Sequence, residues 1–388
     1  MDQNFAMKRL RILIIENSIA ITGSFNSILW NCIYLKDHIE FCFVLPKKSA
    51  CVKIARQNGF LTEELSMREL SRRPLSWSLY FPMLLLNTYT LFRILSKLKI
   101  NLIHVNDFYN LLPVTYKLLG GRVPYVCHVR FMPSRFPPLL LKILFFLHEK
   151  CAGKIITVSR AVSTELPASC KIKQLADGLP LPEENDNNFL YNLNSRIILY
   201  LSNYIKGKGQ NYAIQAFSKI HHNFPEWKLR FVGGDMGTRK NKEFKRSLES
   251  MARVMGIGDK IEWSGFADDV GKEYKASAFL LNFSDSESFS MTCLEAIYYG
   301  IPVISTDSGG PSEIIDHMIN GLLVPVKDIE GMSRAIELLM TKPALRKEMG
   351  SQAYTGARMK FNRAKLSEEL SGVYLSLVHE DKGALEAS

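Results

Sequence analysis

Residues 279–313 read FLLNFSDSESFSMTCLEAIYYGIPVISTDSGGPSE and contain a complete strand, helix and strand. The apolar run Phe279–Phe283 predicts a buried strand, and the polar loop after it leads into a helix that starts near Ser290. Gly300 ends that helix as a C′ glycine, and Pro302–Ser305 predicts the next strand. A helix between two strands of this kind indicates a parallel sheet.

The same alternation of short apolar runs and helix-period segments extends over nearly the whole chain. We therefore expect an α/β protein of two Rossmann-like, doubly wound domains that face each other across a cleft. In the first domain the predicted strands are Arg11–Ile15, Phe41–Leu45, Leu102–Val105, Pro124–His128 and Lys154–Val158. In the second they also include Arg196–Leu201, Lys228–Val232, Lys260–Trp263 and Leu322–Val324.

A polar segment divides these two series of strands. Pro180–Asn188 contains turn-forming residues and no apolar period, which predicts an interdomain linker. We expect an N-terminal domain in residues 1–182 and a C-terminal domain in residues 190–362. The last helical pattern, in residues 363–388, is expected to pack back toward the N-terminal domain.

The net charge of the 388 residues is +11, and all of the excess lies in residues 1–185, which hold 24 Lys and Arg against 13 Asp and Glu. A basic half attracts anionic membranes, nucleic acid or acidic ligands, or simply aids solubility. There is no helix-turn-helix, zinc or RNA-binding signature, so we expect no nucleic-acid partner. The seven cysteines have no paired or metal-type spacing and the N-terminus has no signal-peptide pattern, so we expect a cytoplasmic protein with reduced thiols.

Two apolar segments of the basic half raise the question of membrane contact. Leu75–Phe92 contains 18 residues without a charge but includes a proline and an asparagine, and Pro138–Leu147 is interrupted by Lys142. These features predict buried or interfacial helices and not membrane-spanning ones. We expect reversible attachment to an anionic membrane, with core helices of the first domain as the alternative. Three arginines precede the first segment: Arg68, Arg72 and Arg73.

The loop and helix start after Phe283 hold the strongest candidate site residues. Glu287 lies in the loop, and Glu295 lies about one turn into the helix. Backbone amides at a helix start bind phosphate, and two carboxylates on either side suit the hydroxyls of a sugar nucleotide. The residues at this helix start are Ser288, Phe289, Ser290, Met291 and Thr292.

A purely structural interpretation of these carboxylates is also open. Thr292–Glu295 matches a capping box, in which Glu295 only caps the helix, and Glu287 would then be a solvated loop acid. The downstream segment Gly309–Pro311 favours the functional interpretation, because its bare backbone can approach a ligand just before another helix start.

The stretch 279–313 resembles the Glu-x7-Glu signature of retaining glycosyltransferases of family 4, with the Glu-Ala, Gly-x-Pro-Val and Gly-Gly-x-x-Glu elements that follow it. The resemblance extends in the same order over most of the chain. The other segments that carry it are Leu199–Gln210, Leu229–Gly234, Trp263–Phe266, Val126–His128, Ile155–Ser159 and Ala176–Gly178.

The resemblance implies the GT-B fold, with a nucleotide-sugar donor mostly in the second domain and the acceptor in the first. It implies that Glu295 binds the ribose, that Glu287 holds hydroxyls of the transferred sugar, and that Lys208 neutralises the diphosphate. Taken alone, Lys208 would be a surface lysine in a Gly-rich turn. The family often has an arginine five residues before this lysine, and Asn203 stands there. Lys206 or Lys208 would have to supply the missing charge.

In the first domain, the resemblance implies that His128 contacts the sugar or orients the reacting centre. Taken alone, His128 would be a hydrogen-bonded core histidine. Gly23, in the loop after the first strand, would let the backbone approach the phosphate, although the family usually has Gly-Gly at this place. His104 and Asp107 follow another strand, and we leave them outside the predicted site.

The sequence therefore predicts a retaining glycosyltransferase that moves a sugar from a nucleotide-diphosphate sugar to a glycan or lipid-linked acceptor. We expect no cofactor and no metal, because the chain has no Asp-x-Asp pair and cationic side chains and helix amides can carry the leaving-group charge. One alternative is another GT-B enzyme, such as an epimerase or phosphorylase of sugar phosphates. Another is a non-catalytic partner subunit that binds nucleotide sugars.

Overall fold

The computed structural model describes residues 9–67, 77–179, 192–267 and 269–386. The chain divides into two compact units. Unit 1 is formed by Met1–Pro180 together with Arg363–Ser388, and unit 2 by Leu181–Asn362. The linker predicted at Pro180–Asn188 lies outside the described residues.

Unit 1 is a doubly wound α/β unit. Its described strands form one parallel sheet in the order β3-β2-β1-β4-β5-β6-β7. The strands are β1 Leu10–Ile15, β2 Ile39–Pro46, β3 Leu61–Leu65, β4 Leu102–Val105, β5 Tyr125–Val129, β6 Lys154–Thr157 and β7 Ile172–Gln174. The helices are α1 Gly23–Leu35, α2 Ala50–Gln57, α3 Trp77–Leu98, α4 Leu112–Leu118, α5 Pro138–Cys151 and α6 Arg160–Thr164. A further helix of unit 1 comes from the C-terminal segment of the chain and is described below.

Unit 2 has the same architecture. Its described strands form a parallel sheet in the order β10-β9-β8-β11-β12-β13. The strands are β8 Ile197–Leu201, β9 Lys228–Val232, β10 Ile261–Ser264, β11 Phe279–Asn282, β12 Val303–Thr306 and β13 Gly321–Val324. The helices are α7 Gln210–Ser218, α8 Arg239–Val254, α9 Val270–Ala276, α10 Met291–Tyr298, α11 Pro311–Ile314, α12 Ile329–Thr341 and α13 Pro343–Lys360. The predicted fold class is confirmed.

The C-terminal helix α14, Arg363–Glu386, belongs to unit 1. It contacts α1 and β4, and its Leu370, Val373, Tyr374 and Leu377 are buried in the core of that unit. The last turns of this helix, residues 379–386, are mostly polar and have no apolar period.

Two strands were missed by the sequence analysis, and both are short and polar. β3 is Leu-Thr-Glu-Glu-Leu at one edge of the sheet, and β7 is the three-residue Ile-Lys-Gln at the other. Edge strands are often short and charged, which hides them from a search for apolar runs. The other predicted strands are present, and their ends lie within two residues of the predicted ones.

Large apolar side chains of α3 and α5 remain exposed to solvent, between 48% and 71% of their area. In α3 these are Leu79, Phe81, Leu85, Leu86 and Tyr89, and in α5 they are Leu139, Ile143 and Phe146. We call these residues the apolar face. Among the described residues, no helix is both long enough and apolar enough to cross a bilayer. Both helices also bury side chains within unit 1, among them Leu91 and Ile94 of α3 and Leu144 of α5.

The order of the strands predicts where ligands bind. In a doubly wound sheet the crevice opens at the carboxyl ends of the strands, where the strand order reverses. In unit 1 this point lies between β1 and β4, and in unit 2 between β8 and β11. The loops after these four strands are therefore expected to contain the ligand-binding residues.

Candidate functional site

Three loops at the carboxyl edge of the unit 2 sheet are joined by backbone hydrogen bonds. The amide of Asp285, after β11, donates to the carbonyl of Gly207, after β8, at 2.9 Å. The amide of Glu287 donates to Ser308 at 2.9 Å, and the amide of Gly310 donates to Glu287 at 2.8 Å, both bonds linking the loops after β11 and β12. Segments that lie between Gly207 and Gly310 in the sequence thus form one surface.

Glycine is required where these loops meet. Gly209 has a φ of +78°, and a Cβ there would lie 1.9 Å from the carbonyl oxygen of Phe283. A Cβ on Gly310 would lie 2.2 Å from Cα of Phe289. The Gly309–Gly310 segment therefore packs closely against the loop that carries Glu287.

Lys208 and Glu287 form an ion pair at the centre of this surface. Lys208 Nζ lies 2.7 Å from Glu287 Oε1, and the same oxygen accepts a hydrogen bond from the Ser284 hydroxyl at 2.8 Å. The side chains are 33% and 13% exposed, respectively. A cation and a carboxylate are therefore held together within reach of solvent.

Helix α10 begins beside this pair. Its N-cap is Ser290, whose Oγ accepts hydrogen bonds from the amide of Cys293 at 3.4 Å and from Asn282 Nδ2 at 2.7 Å. Because the first amides of a helix have no partner within it, those of Met291 and Thr292 are suited to an anion. Ser290 is held at a φ of +84°, an unusual conformation for serine.

The capping-box alternative for Glu295 is wrong, because the helix is capped two residues earlier than that motif requires. Glu295 Oε2 instead accepts a hydrogen bond from the Tyr274 hydroxyl at 2.9 Å. Burial raises the pKa of the Glu295 carboxyl to about 7. Tyr274, which sequence reasoning missed, orients this carboxylate.

Asn203 has a structural contact of its own. Its Oδ1 accepts a hydrogen bond from the amide of Gly234 at 3.0 Å, and its backbone carbonyl accepts one from Gln210 Nε2 at 2.9 Å. The side-chain oxygen Oδ1 of Asn203 therefore holds the loop after β9 against the loop after β8.

In unit 1, Gly23 is the first residue of α1 and not a loop residue as predicted. The helix extends further toward its N-terminus than expected because Thr22 caps it, its Oγ1 accepting from the amide of Phe25 at 3.2 Å. Gly23 itself is exposed.

His128 lies at the end of β5 and is buried. Its Nδ1 lies 3.3 Å from Nη2 of Arg130, and its ring lies 5.3 Å from that of His104. Burial is the main cause that lowers the pKa of His128 well below its usual value, and the positive charge of Arg130 adds to it. His128 is therefore a neutral imidazole at physiological pH.

The environment of His128 is a buried polar network that sequence reasoning did not find. Arg130 Nη1 contacts Asp177 Oδ2 at 2.5 Å, and Arg130 Nε donates to Asn106 Oδ1 at 2.5 Å. Asn106 in turn donates to Glu16. These residues follow β5, β7, β4 and β1, so the network joins the carboxyl ends of four strands. The sequence carries one signal for these positions, because Glu16, Asn106 and Arg130 each come directly after an apolar run. This signal places them at strand ends but does not show that they contact one another.

Asp107, which we left outside the predicted site, touches the same network. Its Oδ1 accepts from the amide of Arg130 at 3.4 Å, and burial raises the pKa of its carboxyl to about 7. Within the part of the chain that the structure describes, no group of three or more His, Cys, Asp or Glu side chains is arranged to hold a metal ion.

Two family models match the chain. Residues 183–356 match the model described as glycosyl transferases group 1, and residues 52–174 match the model described as glycosyltransferase family 4. The first match lies in unit 2 and the second in unit 1. Together they include most of the described strands.

Curated relatives carry related names. The chain is 33% identical over 167 residues to an exopolysaccharide phosphotransferase of Streptomyces coelicolor, an alignment that covers 42% of this chain and 17% of that protein. It is 31% identical over 188 residues to the N-acetyl-alpha-D-glucosaminyl L-malate synthase of Bacillus anthracis, covering 48% of this chain and 47% of that protein. The chain thus spans less than two thirds of the length of these relatives.

The fold is also that of solved structures. The structure of Anabaena HepE in complex with UDP and glucose superposes with a TM-score of 0.81 at 18% sequence identity, covering 95% of this chain and 100% of that chain. Both units therefore have counterparts in one known protein, and both have a matching family model. The chain belongs to glycosyltransferase family 4 and has the GT-B fold.

Proposed function

We propose that this protein is a retaining glycosyltransferase that moves a sugar from a nucleotide-diphosphate sugar to a glycan or lipid-linked acceptor in polysaccharide or glycoconjugate synthesis. The observation that carries the proposal is the pair of Lys208 and Glu287, 2.7 Å apart beside the start of α10. A lysine, a helix N-terminus and a carboxylate provide complementary groups for a diphosphate and for sugar hydroxyls.

In the proposed mechanism, Lys208 and the amides at the start of α10 bind the diphosphate. Both stabilise the negative charge that develops on it as the bond to the sugar breaks. Glu287 accepts hydrogen bonds from hydroxyls of the transferred sugar, and Glu295 accepts them from the ribose. The acceptor hydroxyl attacks from the face that the diphosphate leaves, and the departing diphosphate takes its proton. The sugar therefore keeps its anomeric configuration.

The names of similar proteins support this assignment. HepE, which shares the fold, was crystallised with UDP and glucose, and two relatives from Rhizobium are named as lipopolysaccharide core biosynthesis transferases.

We propose that transfer requires no cofactor and no divalent cation, because Lys208 and helix amides can carry the charge of the leaving group. Activity is expected to be unchanged in EDTA. Complete loss on chelation, restored by Mg²⁺ or Mn²⁺, would contradict this.

Release of nucleoside diphosphate from a panel of nucleotide sugars, with and without acceptors, tests the proposed activity. A transferase releases diphosphate in an acceptor-dependent manner and gives a product with the anomeric configuration of the donor. An epimerase converts the sugar without an acceptor. A phosphorylase depends on inorganic phosphate. A non-catalytic subunit binds a donor but shows no turnover, and this result would overturn the proposal.

We further propose that the enzyme works in the cytoplasm, reversibly attached to an anionic membrane through the apolar face of unit 1. Residues 77–151, which include α3, α4 and α5, contain nine Lys and Arg but only two Asp and Glu. α4 contacts both α3 and α5, so the three helices are neighbours in unit 1. Exposed apolar side chains among cations suit the interface of an anionic bilayer.

Co-sedimentation with vesicles of anionic or neutral lipid tests this attachment. The variant Leu86→Ser/Leu139→Ser/Phe146→Ser removes three exposed side chains of the apolar face and is expected to weaken binding to anionic vesicles strongly. Val254→Ser/Met359→Ser is the matched control, because these side chains of unit 2 are 85% and 78% exposed.

The cationic contribution is tested separately. Replacing Arg68, Arg72 and Arg73 with serine should also weaken binding, by about 1 kcal/mol for each cation near the surface. These three residues lie outside the described residues. Equal, negligible binding to both kinds of vesicle at low salt would refute membrane attachment without affecting the proposed transfer.

A further inference from the structure

His128 and His148 are two buried histidines of unit 1 with different hydrogen bonding. His148 Nε2 lies 2.6 Å from the carbonyl oxygen of Phe108, and its Nδ1 lies 3.2 Å from the Tyr125 hydroxyl. Both nitrogens of His148 are thus satisfied within the protein. Among the described residues, Nε2 of His128 is buried and has no hydrogen-bond partner, and the same is true of Nε2 of the neighbouring His104. His148 therefore has the hydrogen bonding expected of a purely structural histidine. His128 differs from it because one of its ring nitrogens has no partner within the described part of the chain.

The contact with Arg130 decides which nitrogen of His128 carries the hydrogen. A guanidinium donates hydrogen bonds and cannot accept them. Nδ1 of His128, 3.3 Å from Arg130 Nη2, must therefore present its lone pair. In a neutral ring the hydrogen then resides on Nε2, the atom without a partner.

Arg130 is itself held in place by the network around it. Its Nε donates to Asn106 and its Nη1 to Asp177, and the other carboxylate oxygen of Asp177 accepts from Ser27. Each of these bonds fixes the plane of the guanidinium. Arg130 cannot rotate away from His128 without breaking a buried ion pair, which is costly.

A protonated His128 is disfavoured by the same neighbours. Its ring faces the positive charge of Arg130 and the ring of His104, whose own pKa burial lowers to about 3. The Tyr374 hydroxyl is 2.7 Å from Nδ1 of His104 and supplies no charge. The carboxyl groups of the network are Asp177, Asp107 and Glu16, of which Asp177 pairs directly with Arg130. Burial raises the pKa of Asp107 and of Glu16, so both are less readily ionised than an exposed carboxyl.

We propose that Arg130 is a positioning residue that fixes His128 as the Nε2–H tautomer, so that His128 donates a hydrogen bond to an oxygen of the bound sugar. A buried donor without a partner costs on the order of 1–3 kcal/mol, which a ligand oxygen would recover. On this account His128 is not a proton acceptor in the reaction. The assignment of the ligand rests on the proposed function, whereas the tautomer does not.

Long-range ¹H–¹⁵N spectra of the full chain labelled with ¹⁵N-histidine test the tautomer directly. The chain has eight histidines, and His128→Gln identifies the signals of His128. We expect a protonated Nε2 and an unprotonated Nδ1 from pH 6 to pH 8. A hydrogen on Nδ1, or a doubly protonated ring at pH 7, overturns the proposal without the need for any variant of Arg130.

Variants of Arg130 then test its role. Arg130→Met removes the donor and is expected to give a mixture of His128 tautomers, whereas Arg130→Lys retains a donor and the wild-type tautomer. The signals of His148 serve as the internal control and should be the same in both variants. An unchanged His128 spectrum in folded Arg130→Met shows that Arg130 does not fix the tautomer.

Ligand addition separates the two parts of the proposal. A nucleotide sugar that binds should shift the Nε2–H signal of His128 and leave those of His148 unchanged. A bound donor or acceptor that leaves His128 unshifted overturns the assigned hydrogen bond. In a working transferase, Arg130→Met should lower kcat by about tenfold or more through misplacement of the donor, and Arg130→Lys should recover part of the loss. Absence of any turnover in the wild-type protein would instead refute the proposed function and leave the tautomer result intact.

Discussion

In each unit an ion pair lies in the polar cluster at the carboxyl edge of the sheet, and these two pairs differ in exposure. In unit 1 the side chains of Arg130 and Asp177 are 3% and 5% exposed. In unit 2 those of Lys208 and Glu287 are 33% and 13% exposed. The first pair is enclosed by further hydrogen bonds to Asn106 and Ser27, whereas the lysine of the second is accessible to solvent.

The buried pair, Arg130 and Asp177, is suited to hold the polar network of unit 1 in place. The partly exposed pair, Lys208 and Glu287, is suited to contact a ligand. Removal of one member of a buried pair leaves an uncompensated charge, so Arg130 and Asp177 are suited to hold the network rigid. A partly exposed lysine gains little from its carboxylate because water competes for both groups. Lys208 can therefore exchange Glu287 for a phosphate at low cost.

The largest expected effect is on stability and follows from the buried pair. Asp177→Asn keeps the shape but removes the charge, and breaking such a pair costs about 3–5 kcal/mol. Lys208→Ala should cost less than about 1 kcal/mol. Thermal unfolding followed by circular dichroism should show a large decrease in Tm for the first variant only.

Glu40→Ala is the control for this comparison, since it breaks an exposed pair in which Glu40 Oε2 lies 2.7 Å from Nε of Arg11. Its decrease in Tm should be as small as that of Lys208→Ala. Equal losses of Tm in Asp177→Asn and Lys208→Ala would remove the distinction between the two pairs.

The next largest effect is on the rate of transfer. Glu287→Ala is expected to lower activity by on the order of 10²-fold or more, because the lost carboxylate orients the donor at the reacting centre. Glu226→Ala, an exposed carboxylate just before β9 and so at the opposite edge of the sheet, should be unaffected. A folded Glu287→Ala variant with nearly wild-type rates would remove Glu287 from the site.

A smaller effect concerns pH. The pKa of Glu295 is raised to about 7, so the ligand-free carboxyl binds a proton as the pH falls below that value. The ribose hydroxyls donate to the carboxylate, so donor affinity should fall about tenfold for each pH unit below 7. Calorimetric titrations from pH 8 to pH 5.5 measure this dependence.

Glu295→Gln should weaken donor binding and abolish the part of the pH dependence that comes from this group. Glu295→Ala should raise the donor KM more than it lowers kcat, since the ribose is bound equally in the ground and transition states. An unchanged pH profile in Glu295→Gln would show that another group titrates.

The local features of the unit 2 site could be predicted from sequence because they lie within one strand, loop and helix. The helix start at Ser290, the Gly300 terminus and the loop position of Glu287 depend on short-range patterns. The identity of the cap could not be separated from the Thr292 capping box, because both placements satisfy the same sequence rules. Only the backbone at Ser290 distinguishes them.

The unit 1 network could not be predicted because its members are far apart in the chain. Arg130 is 24 residues from Asn106 and 47 from Asp177. Their contact depends on the order of strands in the sheet, and that order is not the order in sequence. The sequence of α3 likewise could not show which of its apolar residues stay exposed, because that depends on which elements of unit 1 pack against the helix.

Lys208 is the residue that we propose binds the diphosphate of the donor, so its loss should weaken phosphate binding and leave nucleoside binding unchanged. Calorimetry would measure binding of UDP, GDP and ADP, and of the matching nucleosides, to the wild-type protein and to Lys208→Ala. We expect the affinity for the best nucleoside diphosphate to fall by about tenfold or more, as for loss of one charge-assisted bond, and that for its nucleoside to be unchanged. Equal losses of affinity for both ligands would contradict the account, since the effect would then not come from the phosphates.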